Sequence, residues 1–404
     1  MQPSESPLPS MFLNPKTTPF PDEYGVWNVF SAGDVRWVLK HGSRDPSSWL
    51  GPGERNPVAD FLWLTEDFTP GEGPGRHAVL RDVAAGWFST RAARAMGPVI
   101  RDITADLLEH VITDGDGAEG RFNLAEFAYA APLRVVCSLV GMPLGDEQWL
   151  RCKQREVNRA SYASIPPQPE VRSYFLDLAK THQGKSGDLF TVLVAAREDG
   201  TITEGELAGY LYGLTMAATD TTGTHLANIF AIAAEKNLLG VLREITGDPA
   251  RLYRAVNEFL RFMVPFPAKL LSLPDGAVLS GQEIPAGTVA RVWLSAACRD
   301  IEVNGGIEQA SPHELSLGRW PNRHVALGAG AHYCMGADLQ AQEAMTMATL
   351  ALRLLPGLRP APGGWFRRDV VNPESILQEV AEAWFIFDRR AAREALHRYC
   401  EAAQ

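Results

Sequence analysis

Leu327-Gly328-Ala329-Gly330-Ala331-His332-Tyr333-Cys334-Met335-Gly336 sets a lone cysteine in a loop punctuated by three glycines. The run that follows, Ala337 through Leu354, is apolar enough for a core helix. Gly328, Gly330 and Gly336 carry no Cβ and tolerate unusual φ/ψ, so the backbone can come close to something large and flat. A thiolate held there, beside a helix N-terminus, serves as a metal ligand or as a nucleophile of lowered pKa. The competing reading is a buried structural cysteine, the usual fate of a free thiol. The rest of the chain weighs between the two.

The 404 residues are 46% hydrophobic, 21% charged and 9% aromatic, the profile of a soluble globular protein with a large core. Length alone suggests two or three domains. A net charge of −10, from 38 Lys and Arg against 48 Asp and Glu, argues against nucleic acid as the main partner. Cys137, Cys152, Cys298, Cys334 and Cys400 are odd in number and widely spaced, with no CxxC. No disulfide framework is expected, and the inferred location is a reducing cytoplasm. No basic segment followed by an apolar one opens the chain, so no signal peptide is expected. Leu207 to Ala234 is the most apolar run, but Asp220, His225 and Asn228 interrupt it. It reads as a buried helix rather than a membrane span.

Six prolines between Pro3 and Pro21 make residues 1–25 an extended lead segment. A strand is expected over Val26–Phe30 and a helix over Ala32–Leu39. Residues 42–75 form a Gly/Pro loop carrying Trp49, Phe61, Trp63 and Phe68, a composition that suggests function. Helices are expected over 76–113, 122–141, 145–160, 170–181, 186–199, 203–234 and 250–263. Lys269 to Ala297 reads as strands and turns, and 299–336 as irregular. A helix over 337–354, a short β-like stretch and a helix-prone tail over 388–404 complete the chain. With no repeat and no linker, residues 26–387 read as one mainly α domain with a minor β part.

Three further signals stand beside the cysteine loop. Ala217-Ala218-Thr219-Asp220-Thr221-Thr222 puts an acid among hydroxyls in the middle of the apolar helix. That is costly unless the acid is paired or useful. One account is hydroxyls bonding back to i−4 carbonyls with Asp220 in a buried ion pair. The other is a helix distortion that opens a polar pocket for proton delivery. Glu258 and Arg261 share a helical face, and by themselves read as a surface pair. His77 and Arg81, four apart, present two anion-binding side chains on one face and are uninformative alone.

Taken together and in this order, the four resemble the cytochrome P-450 family of haem-thiolate monooxygenases, in its soluble bacterial form. The cysteine loop is similar to that family's Phe-Gly-x-Gly-x-His-x-Cys-x-Gly, with Leu327 in place of Phe, and continues through Leu339, Ala341 and Glu343. The mid-helix run resembles Ala-Gly-x-Asp-Thr-Thr with Ala218 in place of Gly. Glu258 and Arg261 match Glu-x-x-Arg, and His77 and Arg81 match His-x-x-x-Arg. Ile284 to Gly287, Ala297 to Asp300 and Arg323-His324 fit the family's intervening segments.

The resemblance implies a cytochrome P-450 fold with haem b between the long central helix and the cysteine-loop helix. It implies Cys334 as the iron ligand, with its thiolate favouring O–O cleavage. Asp220 and Thr221 become the proton-relay acid and alcohol. His77, Arg81 and His332 would bind propionates, Lys269 standing where the family often has Arg, and Ala217 and Gly336 would complete the cofactor-binding set. Glu258 and Arg261 would be structural, paired with a third group for which His313 is the candidate. Substrate would meet Trp63, Phe68, Leu214, Ala217, Val264 and Phe266, walls of apolar and aromatic character. The Pro-rich start and the short stretch between Val157 and Arg172 imply an open pocket or one completed by a carrier or partner protein.

The implied activity is oxidation of a small molecule, by hydroxylation or epoxidation, in secondary metabolism, with electrons from ferredoxin and ferredoxin reductase. Radical coupling or peroxygenase chemistry without net oxygen insertion, and non-catalytic haem binding, stand as alternatives.

Overall fold

The apolar run after Thr203 forms one helix of 32 residues, Glu204–Glu235, and the rest of the molecule packs around it. Its start is a capping box, in which Thr203 Oγ1 accepts from the Glu206 N–H (3.2 Å) and the Glu206 carboxylate accepts from the Thr203 N–H (2.6 Å). Its threonines do not break it because their hydroxyls bond back along the helix. Thr219 Oγ1 donates to the Thr215 carbonyl and Thr221 Oγ1 to that of Ala217, each at 2.6 Å. The computed structural model describes residues 2–6, 8, 10–43, 75–143, 145–159, 168–181, 188–301, 310–363, 365–370 and 378–403.

In chain order the helices are α1 (Ala32–His41), α2 (Arg76–Ala85), α3 (Thr90–Ala95), α4 (Gly97–Thr113), α5 (Leu124–Leu139), α6 (Glu147–Arg159) and α7 (Pro169–Thr181). They continue as α8 (Leu189–Glu198), α9 (Glu204–Glu235), α10 (Leu239–Ile245), α11 (Pro249–Phe262), α12 (Leu294–Ala297), α13 (Ala337–Leu354) and α14 (Arg389–Ala403). The strands are β1 (Phe20–Pro21), β2 (Trp27–Val29), β3 (Glu119–Asn123), β4 (Ala268–Leu273), β5 (Ala277–Leu279), β6 (Gln282–Ile284), β7 (Thr288–Trp293), β8 (Arg359–Pro360), β9 (Phe366–Val370) and β10 (Gln378–Asp388).

One sheet runs β1-β2-β7-β4, with β2 and β7 parallel. A second runs β3-β10-β8, and β9 also pairs with β10. The larger core lies among α4, α5, α9, α11 and α13; a smaller one lies between α1 and the first sheet. Contact between α5 and α9 is close because Gly223 has no side chain: a Cβ there would fall 2.3 Å from the Tyr129 ring. Mainly helical architecture with a minor β part is therefore as expected.

Several boundaries differ from the sequence expectation. The single helix expected over 76–113 is three. Ser89 stops the run and caps α3, its hydroxyl accepting from the Ala92 N–H, and Pro98 starts α4 at its first turn. Residues 122 and 123 belong to β3, and Asn123 caps α5. The helix α10 had no clear periodicity to announce it. The Pro-rich lead is packed rather than free, since Phe12 stacks on Trp293 with ring centroids 4.1 Å apart and Phe20 pairs with Asn28. The short β-like stretch near the C-terminus is the central strand of the second sheet. All five cysteines are free. Among the described residues no helix is long and apolar enough to cross a membrane.

Candidate active site

The cysteine loop closes on itself before α13 begins. The Cys334 N–H donates to the Leu327 carbonyl and the Gly328 N–H to that of Val325, both at 2.9 Å. Gly328 and Gly330 sit at φ of 78° and 73°, the left-handed region open to glycine. The close approach at Gly330 is to helix α1, for a Cβ there would lie 3.1 Å from Lys40 Cα. Gly336 differs: its φ is −84°, and a Cβ there meets no protein atom within 4 Å. Two glycines thus shape the turn, and the third keeps room beside the sulfur, toward which its own N–H points.

Burial raises the Cys334 thiol; the Lys269 cation, the Gly336 N–H and the Arg81 cation pull it back without cancelling the rise. The lowered value expected from a helix N-terminus is therefore not found, because desolvation outweighs it.

Arg81 Nη2 donates to the Tyr333 carbonyl (3.1 Å), and the His77 ring stacks on His332 with centroids 4.0 Å apart. The sequence-predicted His77, Arg81, Lys269, His332 and Cys334 thus converge from α2, β4 and the loop.

Opposite them runs α9. Between Leu207 and Ala234 it is buried except at Tyr212 and at Leu214, Ala217, Ala218 and Thr221. The last four, spaced i, i+3, i+4, i+7, form one open stripe. The stripe continues into buried His225, whose Nδ1 accepts from Gln340 near the start of α13. The accessible face of α9 is therefore the face turned toward the cysteine loop. The helix is continuous through Asp220 and Thr221, with no break or π-turn. Of the two accounts of this run, the back-bonding of its hydroxyls is seen and the distortion is not: Ala218 stands where the resemblance has glycine, and the Thr221 hydroxyl is held by the Ala217 carbonyl.

These residues fit a flat, dianionic iron macrocycle. Among the described residues no three His, Cys, Asp or Glu side chains gather into a metal cage. A metal at Cys334 therefore has to bring its remaining ligands, as a porphyrin iron does. Around the thiol stand Arg81 and Lys269, suited to carboxylates at the rim.

Glu258 and Arg261 are both fully buried. Arg261 donates from Nε (2.8 Å) and Nη2 (2.9 Å) to the two carboxylate oxygens. The third group is Arg319, whose Nε lies 3.1 Å from Glu258 Oε2. This corrects the expectation of His313, which is solvent-exposed and bonds Ser311 through its backbone. A buried carboxylate with several lone pairs draws guanidinium forks more strongly than one imidazole. Ser316 N–H and Asn322 Nδ2 complete the set on Glu258, and Arg261 and Arg319 tie the carbonyls of Cys298, Ala310, Ser311, Pro312 and Glu314. The irregular stretch leading into the cysteine loop is held by this one knot.

Of the expected pocket residues, Leu214, Ala217 and Phe266 keep accessible surface, whereas Val264 is 3% exposed and packs in the smaller core. Trp63 and Phe68 lie outside the described residues, as does most of the stretch between Val157 and Arg172. Sequence reasoning missed a polar group beside Asp220. Arg155 Nη2 lies 2.6 Å and Arg151 Nη2 3.9 Å from Glu379 Oε1, and Asp220 acts electrostatically on both arginines.

Two imidazoles, one on buried His225 and one on half-buried His324, are favoured in the neutral form. His225 donates from Nε2 to the Val256 carbonyl (3.0 Å), and burial lowers it to about 4. Burial and the nearby Arg261 lower His324 to about 3. Below the ordinary value of 6.5 the unfolded chain takes up protons that the native fold refuses. Stability is therefore full above that pH and declines as pH falls through it, levelling off below the native values. Each histidine contributes a slope approaching ~1.4 kcal/mol per pH unit. Urea midpoints measured across this window are expected to fall with acidification, and His324→Gln to shallow the fall.

No protein-family model matches the chain. It is 30% identical over 352 residues to the cytochrome P-450 monooxygenase PikC of Streptomyces venezuelae, a match covering 84% of this chain and 80% of that one. It is 28% identical over 336 residues to the erythromycin C-12 hydroxylase of Saccharopolyspora erythraea, covering 79% of each. The crystal structure of CalO2 superposes with a TM-score of 0.79 at 23% identity, covering 96% of this chain and 98% of that one.

Proposed function

The chain belongs to the cytochrome P-450 family of haem-thiolate monooxygenases, and from that premise we propose that it inserts an oxygen atom from O₂ into a small, largely apolar or aromatic molecule of secondary metabolism. Electrons come from a ferredoxin and its reductase in the cytoplasm. The observation that carries this reading is the pairing of the Cys334 loop with the open stripe of α9, one holding the candidate metal ligand and the other the alcohol of Thr221, with the acid, Asp220, buried beside the stripe. The relatives' names support oxygen insertion: one is a monooxygenase and one a hydroxylase.

In this reading Cys334 holds the iron, and the Gly336 N–H moderates the thiolate's donation. Arg81, Lys269, His77 and His332 would hold the propionates, and Ala217, accessible on the α9 stripe, would belong to the cofactor-binding set. The haem, when bound, supplies reductive activation of O₂. The chain's own contribution on the other side is proton supply. Thr221 presents its hydroxyl at the site while the Ala217 carbonyl fixes its oxygen, and Asp220, one residue earlier, is the acid behind it. The leucine, alanine and aromatic walls exclude bulk water from the reacting carbon.

The test is product mass from turnover under isotopically heavy dioxygen with a surrogate ferredoxin chain. A gain of one heavy oxygen supports insertion. A loss of two hydrogens without oxygen indicates oxidative coupling instead. Thr221→Ala is expected to cut product per NADPH consumed by about tenfold and to release hydrogen peroxide, since one positioned proton donor contributes ~10²–10⁴-fold to its transfer step. Unchanged coupling removes Thr221 from the relay.

A further inference from the structure

In sequence, α6 carries Arg151, Gln154 and Arg155 at i, i+3 and i+4, an ordinary-looking solvated face. In the fold that face turns inward. Gln154 is 0% exposed, the Arg151 and Glu379 side chains are 16% and 9% exposed, and Arg155, at the edge of the face, keeps 40% of its side chain exposed. Both guanidiniums address the same oxygen, Oε1 of Glu379. Arg151 also lies over the Tyr129 ring, 4.4 Å from its centroid. After these contacts the Nε of Arg151, the Nε of Arg155 and both amide atoms of Gln154 are buried with no hydrogen-bond partner.

Gln378, beside Glu379 at the start of β10, is 1% exposed, and both of its amide atoms are likewise unpartnered. Its position is fixed against the site: its N–H donates to the Pro265 carbonyl (3.3 Å), and its carbonyl accepts from Thr224 Oγ1 (3.1 Å). Thr224 is one turn beyond Thr221 on α9, and Pro265 adjoins the half-buried Phe266. Beyond Tyr129 stands a third buried guanidinium, Arg368, with Nε and Nη1 unpartnered.

Leaving a buried polar atom unpartnered is costly, and a fold does not gather several in one place for packing alone. Arg151 and Arg155 face Glu379, with Asp220 acting on both, while Arg368 bonds through Nη2 to Asn228 Oδ1 and the Pro3 carbonyl; the unpartnered atoms in the group are mostly N–H donors. The missing complement is an anionic, acceptor-rich group. We propose that the substrate carries a carboxylate, received by Arg151, Gln154 and Gln378 at the α6–β10 wall while its apolar part lies along the α9 stripe. This rests on the monooxygenase reading and narrows its substrate class.

The test is calorimetric titration of the holoenzyme with straight-chain acids from hexanoate to dodecanoate, each against its methyl ester. The expected result is at least one acid binding about tenfold or more tighter than its ester. Arg151→Met is expected to bring that ratio to about one. Gln154→Leu removes an unpartnered buried amide, so it is expected to fold at least as stably as wild type, yet to lower the ratio about threefold or more. That pairing, stability kept and preference lost, is one a packing role does not produce, and it serves if Arg151→Met fails to fold. No acid out-binding its ester, including a series in which neither binds, overturns the proposal, as does a preference that Gln154→Leu leaves intact. The carbon monoxide spectrum of the same preparation separates the two levels. Absence of the thiolate band refutes the haem reading; its presence without acid preference refutes this one.

Discussion

Cys334→Ser is expected to abolish the red-shifted Soret band that the reduced, carbon monoxide-saturated wild-type protein should show, and to take oxidation to background. The reason is chemical rather than steric. Serine has nearly the shape of cysteine, so the Leu327 carbonyl still accepts from the backbone N–H of residue 334, and Arg81 still donates to Tyr333. What disappears is the soft, electron-donating thiolate, which no hydroxyl of ordinary pKa replaces. Circular dichroism and urea midpoint should stay close to wild type when both are compared without haem. A Cys334→Ser protein that keeps the red-shifted band sinks the assignment, because another residue then ligates the iron. A wild-type protein that takes up no haem sinks the reading at its root.

Glu258→Gln should have the largest effect on folding. The carboxylate accepts from Arg261, Arg319, the Ser316 N–H and Asn322, and the side chains of Glu258, Arg261 and Arg319 are all 0% exposed. A glutamine keeps the shape but leaves two guanidiniums buried without their anion. Breaking a buried pair in this way costs ~3–5 kcal/mol, a large share of a typical net stability of ~5–15 kcal/mol. The variant is expected to appear largely in the insoluble fraction, and any folded remainder to show a urea midpoint well below wild type and poor haem retention. Glu382→Gln, which breaks an exposed contact with Arg367, is the control and should leave the midpoint close to wild type. Equal midpoints for Glu258→Gln and wild type would show that the knot does not hold the cysteine loop in place.

The two predictions separate what is legible locally from what is not. The Cys334 loop was readable as a motif because its glycines, its histidine and the helix that follows lie in one stretch, but the reading of its thiol as a ligand drew on Glu258 and Arg261, Asp220 and Thr221, and His77 and Arg81 as well. Glu258 and Arg261 were readable as a pair because helical geometry puts residues three apart on one face. Their partner was not. Arg319 lies 61 residues from Glu258 in an irregular stretch, and no periodicity marks which of its polar residues turns inward. His313 was the nearest candidate in kind, and the structure sends it to solvent.

A similar limit explains α6. Its Arg-x-x-Gln-Arg spacing is indistinguishable from a solvated helix face until Glu379, 224 residues away from Arg155, is laid against it. An apolar substrate wall was the natural reading of the sequence, and the polar wall exists only once β10 and α6 meet beside Asp220. The same holds for the thiol. Proximity to a helix N-terminus predicts a lowered pKa, but desolvation depends on what the rest of the chain places around the sulfur.

By itself, then, the sequence determined the helical class and the family that its four motifs resemble, and it marked Cys334 and the Asp220–Thr221 turn of α9 as candidate iron ligand and proton relay. Each of these rests on side chains within a few turns or one loop of each other, where covalent spacing sets geometry. Only the tertiary structure decided the third member of the buried knot, the three-way split of the 76–113 helix, and the charged wall beside Asp220. Those depend on burial and on pairing between distant segments, and the free energy of a charge is set by its surroundings in space rather than by its neighbours in the chain.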